Sequence, residues 1–152
     1  MMQLAPLNRD KLRNLIADIE SCRQELSALL EQSKDVFISN RQLYAQMEHY
    51  FRRALEGILT AGTHMLSRLP METKDYTAII QSLGTAGIIP VQFAQRNIGL
   101  AGYRNRLVHM YWEVAPAELY DIVKEHVDDI GAFAEYFQTV LQYPDRFHLK
   151  IE

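Results

Sequence analysis

Residues 8–32, NRDKLRNLIADIESCRQELSALLEQ, place apolar side chains at Leu12, Leu15, Ile16, Ile19, Leu26, Leu29 and Leu30. Steps of three and four put those side chains on one stripe of a helix, with the charged residues on the opposite face. Asn8 is the expected N-cap, and Asp10 sits in the first turn, where a negative charge suits the helix dipole. The stripe is useful only if something covers it, so the rest of the chain should supply more helices. SKDVFISN interrupts the pattern. A second helix is expected over about 40–69, through Leu43, Met47, Phe51, Leu55, Ile58, Leu59, Met65 and Leu66, ending before Pro70, with Gly57 or Gly62 as points of bending. A third is expected over about 73–83, with Thr73 as cap and Gly84 and Gly87 ending it. A fourth has Pro90 in its first turn and runs toward Pro116. The fifth, about 117–142, carries Leu119, Ile122, Val123, Val127, Ile130, Phe133, Phe137 and Leu141 and ends before Pro144. No stretch alternates with period two. The sequence therefore predicts an all-α, single-domain helical bundle of about five helices, spanning residues 1–152 with its core over about 8–142.

Composition agrees and narrows the function. The chain has 152 residues, 48% hydrophobic and 23% charged, with only seven glycines and five prolines. Such usage is globular, and few breakers favour long helices. The formal net charge of −3 argues against a dedicated duplex binder, whose affinity comes from phosphate contacts. A nucleic-acid role must rest on a local patch. A single cysteine, Cys22, excludes an intrachain disulfide and a Cys-based zinc site and fits a reducing compartment. MMQLAPLNRD lacks the apolar run of a secretory signal, and no apolar run approaches the roughly 20 residues that span a bilayer. A cytoplasmic protein without membrane segments is expected.

One stretch carries chemistry. AGYRNRLVHMYWEV, residues 101–114, gathers Arg104, Asn105, Arg106, His109, Tyr111 and Trp112. At 100° per residue, Asn105 and His109 share a helix face and Arg106 lies near His109, whereas Arg104 stands about 140° from His109. Arginine's long stem, or a second chain's helix alongside, could bring a phosphate between Arg104 and His109. These residue types suit RNA cleavage. A 2′-hydroxyl must lose a proton as it attacks phosphorus, and histidine titrates near neutral pH. Arginine offers a fixed fork of donors to the non-bridging oxygens, where charge builds in the transition state. Asn105 could orient the histidine or bond phosphate. This chemistry requires no metal and no cofactor, and the histidines at 49, 64, 109, 126 and 148 show no ligand spacing. By itself an Arg-x₄-His spacing is unspecific: His109 could be a satisfied polar group and Arg104 a surface charge.

The surrounding sequence adds to it. YRNRLVHMYW resembles the signature of the HEPN superfamily in its HepT-like (DUF86) branch, an Arg and a polar residue, then His, then Tyr two later: Arg104, Asn105, His109 and Tyr111. LEGILTAGTHMLSRL is similar to that family's long second helix, and residues 75–114 to its central stretch. The resemblance covers roughly 8–142. It implies an α-helical homodimer whose two Arg-x₄-His motifs meet at a cleft between subunits. It further implies a metal-independent endoribonuclease, with Arg104 and His109 catalytic and Asn105 supporting, that acts as the toxin of a type II toxin–antitoxin pair. The implied antitoxin is a minimal nucleotidyltransferase that silences the toxin by transferring AMP to the motif tyrosine, here Tyr111.

Other residues are weaker candidates. Arg96, Arg106 and Trp112 could bind substrate, and Arg41, Arg52 and Arg53 could extend a positive rim. For each arginine a solvated helix face is the plainer reading, and a lone tryptophan is more often a packing anchor than a base-stacking platform. His64, amid apolar residues, reads as a core or interface polar group. Gly99 and Gly102 cost a helix roughly 1 kcal/mol each, so a close helix or subunit contact is expected there. The tail YPDRFHLKIE has no assignable role. The alternative to an enzyme is a non-catalytic helical module that binds nucleotide or docks a nucleotidyltransferase.

Overall fold

The computed structural model describes residues 5–109 and 114–152. Its helices are α1 Arg9–Leu29, α2 Lys34–Ile38, α3 Arg41–Leu66, α4 Tyr76–Thr85, α5 Val91–Asn97, α6 Gly99–His109 and α7 Pro116–Gln142, followed by one 3₁₀ turn at Pro144–Phe147. The architecture is all-α, as the periodicity requires.

Two features depart from five helices. The SKDVFISN interruption is itself a short helix, α2, which Ser33 caps by accepting from the Val36 N–H and which drives Phe37 into the core. The expected fourth helix is two, α5 and α6, separated at Ile98. Caps shift as well. Asn8 caps α1 as expected, accepting from the Lys11 N–H. On α4 the cap is Asp75, whose carboxylate accepts from the Ala78 N–H at 2.8 Å, rather than Thr73. That helix runs through Gly84 to Thr85, and Gly87, at φ 77°, makes the reversal that follows.

The centre is the packing of α1 on α3, with α7 against both; α3 also carries α4 and α6. Phe37, Phe51, Phe133 and Phe137 are wholly buried there. Helix α3 is unbroken, and its glycines serve close approach: a Cβ at Gly57 would stand 2.8 Å from Ile19 Cγ1, and one at Gly62 3.0 Å from Ile79 Cγ2. Gly84 likewise faces the Ala94 Cβ at 2.9 Å. Of the close helix or subunit contact expected at Gly99 and Gly102, no intrachain part is seen among the described residues: a Cβ at either meets none of their atoms within 4 Å.

The tail has a structural role after all. The Leu7 N–H donates to the Lys150 carbonyl at 2.7 Å and the Glu152 N–H to the Leu7 carbonyl at 3.3 Å. Leu7 and Leu149 join the core, so it extends beyond residues 8–142.

His64 is buried, and its Nε2 accepts from the Asn8 N–H at 3.0 Å, so the neutral ring holds the start of α1. Burial first, then the charges of Arg68 and Lys11, push its pKa down to about 4. The unfolded ring, near its ordinary 6.5, takes up a proton that the folded ring refuses. Stability therefore falls as pH drops below 6.5 and levels off below 4, by about 2 kcal/mol at pH 5. Urea titrations at pH 7.5 and 5.0 should show this loss in the wild type and a smaller one in His64→Gln; equal losses would refute it.

Candidate active site

Helix α6 carries Arg104, Asn105, Arg106 and His109, and its placement begins at the break before it. Asn97, the last residue of α5, is wholly buried. Its Nδ2 donates to the Phe93 carbonyl at 3.0 Å, and its Oδ1 lies 3.0 Å from His126 Nδ1 on α7. A buried amide with both ends engaged fixes where α5 stops and where α6 sets out. Downstream, Leu100, Ala101 and Leu107 bury one stripe of α6 against α3 and α4.

Arg104 falls on that same stripe, four residues after Leu100 and three before Leu107. It therefore points into the protein, with its side chain only 15% exposed. Its Nε donates to Glu56 Oε1 on α3 at 2.6 Å, and Nη1 reaches Asn105 Oδ1 at 3.3 Å. The guanidinium carbon lies 4.5 Å from the ring centroid of Tyr76, the first residue of α4. Asn105 and His109 are both exposed, on the outer face that their four-residue spacing predicts. Within one chain, Arg104 turns toward α3 and α4 while His109 faces outward. Tyr111 and Trp112 lie outside the described residues.

Beside Arg104 opens a cleft of about 970 Å³, between the start of α1, the second half of α3 and the start of α4. Lys11, Glu56, Thr60, Lys74, Tyr76 and Asn105 are on its wall. Lys11 and Lys74 are exposed, and neither has an ion-pair partner among the described residues.

Four other candidate arginines meet carboxylates, whereas Arg41 is exposed and has no ion-pair partner among the described residues. Arg106 makes a two-pronged pair with Glu118 at the start of α7, at 2.7 and 2.9 Å, and its hydrogen bonds hold the Glu118 carboxyl below the usual range. This pair directs Arg106 toward α7. Arg96 pairs with Asp129 at 2.9 and 3.1 Å, Arg53 with Asp18, and Arg52 lies 3.9 Å from Glu48. Cys22 is no nucleophile: burial first, then the charge of Asp18, raises its thiol to about 11.

Glu56 and Tyr76 were missed by sequence reasoning. They stand 48 and 28 positions from Arg104, on other helices, and no spacing rule links them to the motif.

The HepT-like ribonuclease family model matches residues 15–137, and the chain belongs to this family. Among solved structures it is similar to YutE from Bacillus subtilis, a cytosolic protein of unknown function: 19% identical, covering 95% of each chain, with a TM-score of 0.77. That likeness confirms the fold. The comparison with curated proteins gives no match.

Asn97→Ala removes the partner of His126 Nδ1 and the tie at the α5–α6 break. It should lower stability by roughly 1–3 kcal/mol, read by urea unfolding. A loss under about 0.5 kcal/mol, the level of an ordinary surface change, would show that the pair does not anchor the break.

Proposed function

We propose that this chain is a metal-independent endoribonuclease and the toxin of a type II toxin–antitoxin pair. The observation that carries the reading is the family match joined to an Arg104, Asn105 and His109 set on one helix, with Arg104 held in place by neighbouring helices. His109 takes the proton from the 2′-hydroxyl as that oxygen attacks the adjacent phosphorus, or returns one to the departing 5′-oxygen. Arg104 binds the non-bridging oxygens, whose charge grows in the transition state. Asn105 braces the arginine or the phosphate.

The divergence of Arg104 and His109 within one chain supports a homodimer in which two motifs face one cleft, so that each phosphate meets an arginine and a histidine. Arg96, Arg106 and Trp112 are the weaker candidates for substrate contact; the two arginines would act with their carboxylate partners beside them. A minimal nucleotidyltransferase is the proposed antitoxin, placing AMP on Tyr111. Two residues from His109, that nucleotide would occupy the substrate's place.

A second reading draws on the acidic net charge and on the carboxylates that neutralise Arg96, Arg106, Arg53 and Arg52. It makes the chain a non-catalytic module that binds nucleotide and docks the nucleotidyltransferase.

Expression of the chain alone decides between them. The enzyme reading expects growth arrest and degraded RNA, both abolished in His109→Ala and Arg104→Ala. With purified protein and EDTA, cleavage should fall on the order of 10²-fold or more in either variant. Folded wild type that neither arrests growth nor cleaves RNA, or cleavage retained in both variants, would sink the ribonuclease reading. In the presence of the nucleotidyltransferase and ATP, the wild type should gain the mass of AMP and Tyr111→Phe should not.

A further inference from the structure

We infer that Glu56 and Tyr76 are positioning residues for Arg104, fixing its guanidinium so that the end bearing its two terminal nitrogens is presented to the scissile phosphate. This rests on the ribonuclease reading above and adds two residues to the site.

An arginine side chain has many rotamers to lose, and a donor fork is useful only when its plane and direction are set before the charge develops. Two contacts set them. Glu56 accepts from Nε at 2.6 Å, which fixes the inner edge of the guanidinium. Tyr76 lies 4.5 Å from the guanidinium carbon, which covers one face. Edge and face together leave little freedom to a planar group. The remaining donors are on Nη2 and on Nη1, one of whose hydrogens meets Asn105. That end is the fork that matches two oxygens of a phosphate.

Both holders are themselves well placed. Glu56 precedes Gly57, where α3 closes onto Ile19 of α1, so its backbone belongs to a close contact between two helices. Tyr76 opens α4 directly after its Asp75 cap. The clamp thus ties the motif helix to α3 and α4. It also puts a negative charge beside the arginine. Glu56 therefore weakens the ground-state attraction for RNA while holding the geometry that the transition state needs, and the two effects separate in kinetics.

Glu56→Ala should lower kcat about tenfold or more with KM unchanged or lower. Glu56→Gln, whose amide oxygen can still accept from Nε, should recover most of that loss. Tyr76→Ala should lower kcat, and Tyr76→Phe, which keeps the ring, should recover it. A loss of fold would not follow this order of rescue. A second measurement is independent of activity. The Arg104 Nε–H resonance, assigned by its disappearance in Arg104→Lys, should be sharp and slow to exchange in wild type and in Glu56→Gln, and averaged in Glu56→Ala. Wild-type kcat in folded Glu56→Ala, or an Arg104 signal already averaged in the wild type, would overturn the inference. A wild-type chain that cleaves no RNA would instead overturn the ribonuclease reading, while the resonance still reports on the clamp.

Discussion

The contact between α1 and α3 governs the rest of the molecule. Helix α3 presents Gly57 where a Cβ would come within 2.8 Å of Ile19, so the two helices approach more closely than any side chain would permit. Close approach lets Leu12, Ile16 and Ile19 mesh with Phe51, Leu55 and Ile58, all buried. Interiors packed at crystal-like density transmit position from one element to the next. With α3 fixed on α1, α7 closes over both, and the outer part of α3 is left to carry α4 and α6.

The site inherits that rigidity. Helix α6 is tied at its start by the buried Asn97–His126 hydrogen bond and on its inner stripe by Leu100, Ala101 and Leu107. Arg104 shares the stripe, and for this reason it meets Glu56 and Tyr76 rather than solvent. A long charged side chain on a buried stripe needs a charged partner and a flat apolar surface for its stem and face. Glu56 and Tyr76 supply both. His109, on the opposite side of the same helix, is free to meet a substrate or a second chain.

Local electrostatics separate the basic residues around the site. Arg53, Arg96 and Arg106 are matched by carboxylates at hydrogen-bonding distance, and such solvent-screened pairs contribute little to stability. Their chief effect is to flatten the positive field around the motif, in keeping with a net charge of −3. Lys11 and Lys74, which line the same cleft as Asn105, have no ion-pair partner among the described residues.

The sequence alone was enough for the helical class, for the extents of α1, α3 and α7, and for the Asn8 cap. All of these follow from short-range rules: a three/four apolar spacing and a side chain that caps its own helix. It also singled out Arg104, Asn105 and His109, because motif residues on one helix are close in the chain. It did not reveal α2, whose five residues are too few for a period to register, nor the break at Ile98, beside which Asn97 bonds to His126, 29 residues further along the chain. It was silent on the tail, whose role is a bridge to Leu7 at the far end of the chain. Above all, it could not pair Arg104 with Glu56 and Tyr76. A period tells which face a residue is on, but which helix covers that face is decided only when α3 and α4 pack, and there the arginine's partners are chosen by shape and charge rather than by spacing.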